Sequence, residues 1–351
     1  MSDAVVVARD RRLPPAVSIL LPYLLAIGVA LAVVGVLLAL LGYNVLQAYQ
    51  TILFTSFRTP NGFAQTLNKW VPLSLQALAF TIPLAAGKFN IGGEGQLIVG
   101  AIGAAAAGII FAGLPVYVLL PLVLIAGMLC GAIWVLLPAW LLYRFRINEI
   151  LTTVLLNFVA FELIDFVATK FWPDPTAGHP TSIPIGAGGE LPMLMTRPPL
   201  HSGLLLALVI CALAYFYVDR TSAGYELIAA GANPRAARVF GINTRWLFFW
   251  SLLLGGMLAG LSGAVEVAGN QHRLIVGLQS NFLLLGIIIG LISKGNHLAV
   301  PFVALFIAVL EVGASAMQRT MMIPGEMVLI VEALILLFVL LSDVVRRRRT
   351  A

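Results

Sequence analysis

Three stretches and one isolated acid hold the residues that could do chemical or mechanical work. The first stretch, Asp219 to Arg245, reads DRTSAGYELIAAGANPRAARVFGINTR, lies between two long apolar runs and is too polar to sit in lipid. Tyr225 to Ala232 predicts a short helix, which Asn233-Pro234 interrupts. Pro234 suits the first position of a second helix, where its missing N–H costs nothing. Arg235 to Arg238 continue that helix and Gly241 ends it. Alanine permits close seating in a groove and arginine anchors a rim, so the bent pair reads as a handle for another protein to push on. Its candidate working residues are Gly231, Asn233, Pro234, Ala237, Arg238 and Gly241. The plainer alternative is an ordinary inter-span loop.

The second stretch, Phe89 to Gln96, reads FNIGGEGQ, and its three glycines break helix regularity between two apolar runs. Broken backbone at membrane depth is tolerated only where protein or a water-filled cavity covers it. Asn90, Glu94 and Gln96 would then bring polar groups to a path or gate. Equally, Glu94 at a helix start is favoured by the helix dipole alone. The third stretch, Asn148 to Asp165, places Glu149, Thr153, Asn157, Phe161 and Asp165 four apart. Steps of four drift about 40° each on a helix of 3.6 residues per turn, so these residues form a slow spiral. Polar side chains within a span usually face the bundle interior, which makes Asn157 a candidate for lining the path. The lone acid is Glu332, in the middle of MVLIVEALILLF. At mid-span it costs about 2.5–3.5 kcal/mol on insertion scales and is expected to face the interior. Glu266 and Glu311 lie near outer span ends, where a solvated rim is the simpler expectation.

The elements that position these residues follow from composition. The chain of 351 residues is 60% hydrophobic and only 10% charged, with a mean hydropathy of +1.00. A soluble domain needs far more charge to cover its surface. Apolar runs near 20 residues recur throughout, each able to cross about 30 Å of hydrocarbon. The strict alternation of barrel strands is absent. The expected fold class is therefore an all-α polytopic membrane protein forming one transmembrane domain over residues 1–351. About ten spans are predicted, near 16–41, 70–87, 95–113, 115–142, 150–171, 201–218, 246–268, 279–293, 297–315 and 325–342. Residues 42–68 are mixed and aromatic and suit the membrane interface. Residues 172–200, rich in Pro and Gly, predict an extended extracytoplasmic loop that caps the pore, meets a delivery protein or simply connects two spans.

Basic residues set the orientation. With an inner N-terminus, 15 of the 21 Lys and Arg fall on inner loops, RRRR at 346–349 among them, and 6 on outer ones. Both termini are thus expected in the cytoplasm, with residues 219–245 forming a cytoplasmic loop. The net charge of +6 is dispersed over these loops and does not make a nucleic-acid surface. Arg9, Arg11 and Arg12 precede a first apolar run too long for a signal peptide. Cys130 and Cys211 lie in apolar runs, and the four histidines have no metal-ligand spacing. Gly100, Ala104, Gly108 and Ala112, like Gly256, Gly260, Ala264 and Ala268, recur every fourth residue and predict close helix packing. No phosphate-cradling glycine loop surrounds Lys88 or Lys294, and HExxH and serine-nucleophile motifs are missing.

Three segments, in order over residues 89 to 242, carry a resemblance. AAGANPRAARVFGIN resembles the cytoplasmic coupling segment of ABC-importer permeases of the branched-chain amino acid, ribose and simple sugar superfamily. FNIGGEGQLIVGA and NEILTTVLLNFVA are similar to segments of its simple sugar and nucleoside branch. The resemblance implies a permease subunit, not an enzyme, translocating a nucleoside or simple sugar across the bacterial inner membrane. It implies separate cytoplasmic ABC ATPase subunits that bind ATP and Mg, so this chain itself carries no cofactor. It further implies a second permease subunit in a heterodimer and a periplasmic or lipid-anchored substrate-binding protein. Two departures from the pattern are the apolar run Asn281 to Lys294 and Glu332, which stands where a neutral polar residue is usual. From the residues alone, an ion-coupled secondary transporter that relays protons through its intramembrane acids remains the alternative.

Overall fold

The computed structural model describes residues 28–29 and 31–324, with scattered positions from 327 to 337. Six helices among the described residues are long and apolar enough to cross a membrane. They are α4 (Gly93–Ile110), α5 (Val116–Phe145), α6 (Glu149–Lys170), α7 (Gly203–Arg220), α10 (Thr244–Val265, with a wider turn continuing it to Gln271) and α12 (Val300–Met321). Each matches an expected span. The described residues include three shorter apolar or amphipathic helices, α1 (Leu31–Leu40), α2 (Val45–Arg58) and α11 (Phe282–Ile292). The remaining helices are α3 (Pro60–Ala85) and the pair α8 (Ser222–Ala232) and α9 (Pro234–Val239).

Two expected spans take another form, and two lie partly or mostly outside the described residues. The one placed at 70–87 is the second half of α3, which starts ten residues earlier because Thr59 caps it and Pro60 occupies its first position. The one placed at 279–293 is α11, whose 11 residues reach about 16 Å, half a hydrocarbon core. Positive φ at Ser280 and Asn281 before it, and at Lys294 and Gly295 after it, confines the helix. The span expected at 325–342 lies mostly outside the described residues, as does the N-terminal half of the one at 16–41.

The chain divides into two compact units, one of residues Gln50–Ala316 and one drawn from its two ends. In the latter, the Tyr49 hydroxyl donates to the Leu31 carbonyl. All the features below lie in the larger unit. There α10 is central, packing on α3, α4 and α5, with α6 outside α4 and both α7 and α11 against α3. The predicted small-residue rows are the seams. A methyl group on Gly100 would strike the Gly260 backbone, and one on Gly260 would lie 2.9 Å from Gly131 Cα. Backbones approach this closely because lipid offers no hydrophobic gain for burying larger side chains between helices.

The helix ends sort into two faces. One carries the ends of α3, α5 and α7, the starts of α4, α6 and α10, and the α8–α9 pair. The other carries residues 172–200, which are more ordered than an extended connector. They contain a small antiparallel hairpin, β1 (Met193–Met195) with β2 (Leu200–His201), the minor exception to an all-helical fold. Ser182 and Leu191 donate backbone N–H bonds to Leu274 (2.9 Å) and Ala268 (2.8 Å), which bind this segment over the end of α10.

Candidate functional site

The α8–α9 elbow is built by local rules. The Thr221 hydroxyl caps α8 by accepting from Gly224 N at 3.2 Å. Asn233 leaves the helix in an extended conformation, and its Oδ1 accepts from both Arg235 N and Ala236 N at 3.1 Å, capping α9. Pro234 takes the first position of α9 as expected. Gly241, at φ +84°, donates to Arg238 O while Ile242 N reaches Ala237 O, both at 3.1 Å, closing the helix with a left-handed glycine. Ala237 is buried, whereas Ala236 and the arginines on α9 are exposed, so only one alanine faces the protein. Val239 and Phe240 are 85% and 84% exposed at the tip of the elbow.

The glycine-rich break between α3 and α4 is held by a buried amide network. Asn90 and Gln96 exchange two hydrogen bonds of 2.8 Å between their side-chain amides. Asn157, reaching in from α6, accepts from Gly95 N at 2.9 Å and donates to Ile91 O at 2.8 Å. Gln76, from the middle of α3, donates to Gly93 O at 3.2 Å. Gly95 N, one of the backbone N–H groups that a helix start leaves without an intrahelical partner, is thereby satisfied by a side chain. Glu94 is half-buried and makes no ion pair or hydrogen bond among the described residues. On α6 the inward stripe runs Glu149, Thr153, Asn157, Ala160, Ile164 and Val167, so the four-step spiral leaves the interior at Phe161, and Asp165 is exposed.

Elbow and break touch directly. Gly231 sits on the last turn of α3, where an added methyl would strike the Ala85 carbonyl oxygen and come within 2.8 Å of Gly87 N. Gly87 itself has φ +68° and would need 3.1 Å to the Gly231 carbonyl oxygen for its own methyl. Three residues further on is Asn90. Beside it Lys88 pairs with Glu149 at the start of α6 at 3.5 Å and lies over the Phe248 ring of α10. A second tie joins the end of α7 to the turn before α12, where His297 Nδ1 is 3.1 Å from Asp219 Oδ2. Burial holds the His297 imidazole below its usual pKa even beside that carboxylate.

The other candidate acids separate. Glu332 lies outside the described residues. Glu266 corrects the rim expectation: it is buried, and Asn270 donates to it at 2.8 Å across the wide turn ending α10. Glu311 pairs with Lys69 at 3.3 Å instead of standing in solvent. Both acids belong to the face opposite the elbow. There His201 is 1% exposed, and its pKa is lowered to about 4 by burial and, to a smaller extent, by His272.

A continuous segment, residues 62–340, matches the family model described as branched-chain amino acid transport system / permease component. The chain belongs to this permease family. It is 34% identical to the glucose ABC transporter permease protein of Haloferax volcanii, over 91% of this chain and 87% of that one. It is 30% identical to the guanosine ABC transporter permease protein of Bacillus subtilis, over 94% and 95%. A nucleoside ABC transporter permease protein of Lactococcus lactis is 27% identical over 93% and 92%. This permease is therefore a multi-pass membrane protein of the ABC transporter system and a transport subunit. Four of its structural features were not singled out from sequence: Gln76, His297, Val239 and Phe240. Gln76 lies within an α3 that reads as apolar, and His297 meets Asp219 across 78 residues. Val239 and Phe240 read as ordinary apolar residues until the fold leaves them outside.

Proposed function

We propose that the chain is the membrane-spanning subunit of an ATP-driven importer that carries a nucleoside or a simple sugar across the bacterial inner membrane. The substrate class follows from its relatives, which are a glucose, a guanosine and a nucleoside permease protein. In this reading the elbow face is cytoplasmic, as are both termini, and about ten crossings form a single domain. ATP and Mg reside on separate ABC subunits. A second, different permease completes the path, and a periplasmic or lipid-anchored protein delivers the solute.

The contact of Gly231 with Ala85–Gly87 carries the mechanism. An ATP-binding subunit grips the elbow through Val239, Phe240 and Arg235, while Arg238 braces α9 by donating to the Pro234 carbonyl at 3.0 Å. Asn233, Pro234 and Gly241 keep the elbow rigid, so that its displacement is not absorbed within the loop. Gly231 passes that displacement to the end of α3, and the amides of Asn90, Gln96 and Asn157 move the break with it. Asn90 and Asn157 thus act as braces of a gate, Glu94 faces the opening, and Glu332 is a further candidate for the path. Binding of ATP favours one of two access states by its differential contacts at the elbow.

Reconstitution with the neighbouring permease, ATPase and binding protein tests this. Uptake that stops when the ATPase or ATP is omitted is the expected result. Uptake by this chain alone under a proton gradient would replace the reading with an ion-coupled transporter.

A further inference from the structure

A cleft of about 410 Å³ opens on the elbow face between the end of α5, the start of α6, α9 and the start of α10. Its lining carries four cations, Lys88, Arg146, Arg238 and Arg245, against a single carboxylate, Glu149. Lys88 already pairs with that carboxylate, and the three arginines form no ion pair among the described residues. The cleft therefore has a surplus of guanidinium charge. Guanidinium groups favour phosphate, which they hold through paired N–H bonds.

The surroundings indicate where the phosphate comes from. Tyr143 and Phe248 form walls of the cleft. On the same two helices Trp140 (48% exposed), Trp246 (48%) and Trp250 (39%) face outward. Tyr143 meets Phe249 edge-on at 6.1 Å, which joins the two aromatic groups into one band. Exposed Trp and Tyr at helix ends mark the headgroup level of a bilayer. On α9, Pro234 and Arg238 are four apart and line the cleft together. The bare tip at Val239 and Phe240 comes one and two residues later and does not line the cleft. A protein held by that tip leaves the cleft open to lipid.

We propose that this cleft binds the phosphate headgroup of an anionic phospholipid from the adjoining leaflet, bridging α9 to the ends of α5 and α10. The proposal rests on the membrane reading of this face but not on the coupling role of the elbow. Basic pockets between spans are suited to such headgroups.

The test titrates the purified transporter complex in a zwitterionic detergent with cardiolipin, phosphatidylcholine or glycerol phosphate, read by native mass spectrometry. Wild type is expected to retain cardiolipin, to bind phosphatidylcholine weakly and to lose cardiolipin as salt rises. Arg146→Gln with Arg245→Gln should lower cardiolipin affinity about 30-fold, while Arg144→Gln, outside the cleft, leaves it unchanged. If the double variant fails to assemble, the paired Arg→Lys changes, which keep charge but lose the planar fork, should weaken binding less. Equal affinity in the double variant, or equal retention of phosphatidylcholine, overturns the proposal. So does glycerol phosphate competing as well as the intact lipid, which would make the occupant a soluble anion. A photocrosslinker at position 245 that labels the ATPase subunit and not lipid would assign the cleft to that protein. ATP dependence of uptake is measured on wild type alone, so failure of the importer reading would show separately.

Discussion

Replacing Gly231 by alanine or valine should loosen the connection between elbow and spans. An alanine methyl would strike the Ala85 carbonyl oxygen and lie 2.8 Å from both Ala86 C and Gly87 N. These are backbone atoms and cannot turn aside like the end of a flexible side chain. Overpacking of this kind costs about 1–3 kcal/mol. Alanine recovers about 1 kcal/mol of helix propensity within α8, leaving a net local penalty of about 0–2 kcal/mol. The cheapest relief moves α8–α9 away from α3, the contact through which force would pass. At about 1.4 kcal/mol per tenfold, the penalty corresponds to up to about a 30-fold drop in solute moved per ATP hydrolysed. Valine should reach the upper end. The assay is uptake and hydrolysis measured together in proteoliposomes containing the complete transporter. Gly277→Ala is the control: Gly277 lies outside the elbow and has φ +87° but no atom within 4 Å of an added methyl. That change strains the chain by about 1–2 kcal/mol without displacing the elbow from α3. Gly231→Val with wild-type stoichiometry between transport and hydrolysis would refute the mechanical argument.

Other consequences can be measured singly. Asn157→Leu removes the bonds to Gly95 N and Ile91 O, and with about 1 kcal/mol per bond plus a stranded buried N–H it should cost about 2–4 kcal/mol, seen as a lower Tm in detergent. Val239→Ser with Phe240→Ser removes exposed apolar surface, so Tm should hold while affinity for the ATPase subunit in a pull-down titration falls at least tenfold; unchanged affinity would exclude the tip from the interface. His201 supplies a pH test: folding favours its neutral ring, with a pKa lowered to about 4, so the unfolded chain takes up the proton first as pH falls below about 6.5. Stability should then be lost between pH 6.5 and 4, by up to about 3 kcal/mol, and His201→Asn should flatten that part of the Tm–pH curve.

Local chemistry made much of this molecule readable in one dimension. Apolar run length fixes a membrane class because hydrocarbon leaves no other home for twenty uncharged residues. The elbow is equally local: a cap needs Asn233, a first turn tolerates Pro234, and a left-handed exit needs Gly241, whatever lies around them. The glycine rows announced close packing for the same reason, since only small residues let backbones meet. Which backbones meet is another matter. That Gly100 faces Gly260, that Asn157 spends both amide atoms on a turn more than sixty residues away, and that Gly231 rests on Ala85 are outcomes of helix arrangement. Burial is decided at the same level. Glu266 sits at the end of an apolar run, where sequence suggests solvent, but residues 172–200 fold over that end. Val239 and Phe240 look like core residues by type and are left bare because α9 is too short to bury both its alanine and its tip. Side-chain type and spacing act within a few residues along the chain, whereas the charge surplus of the cleft depends on four elements whose relative placement only packing sets.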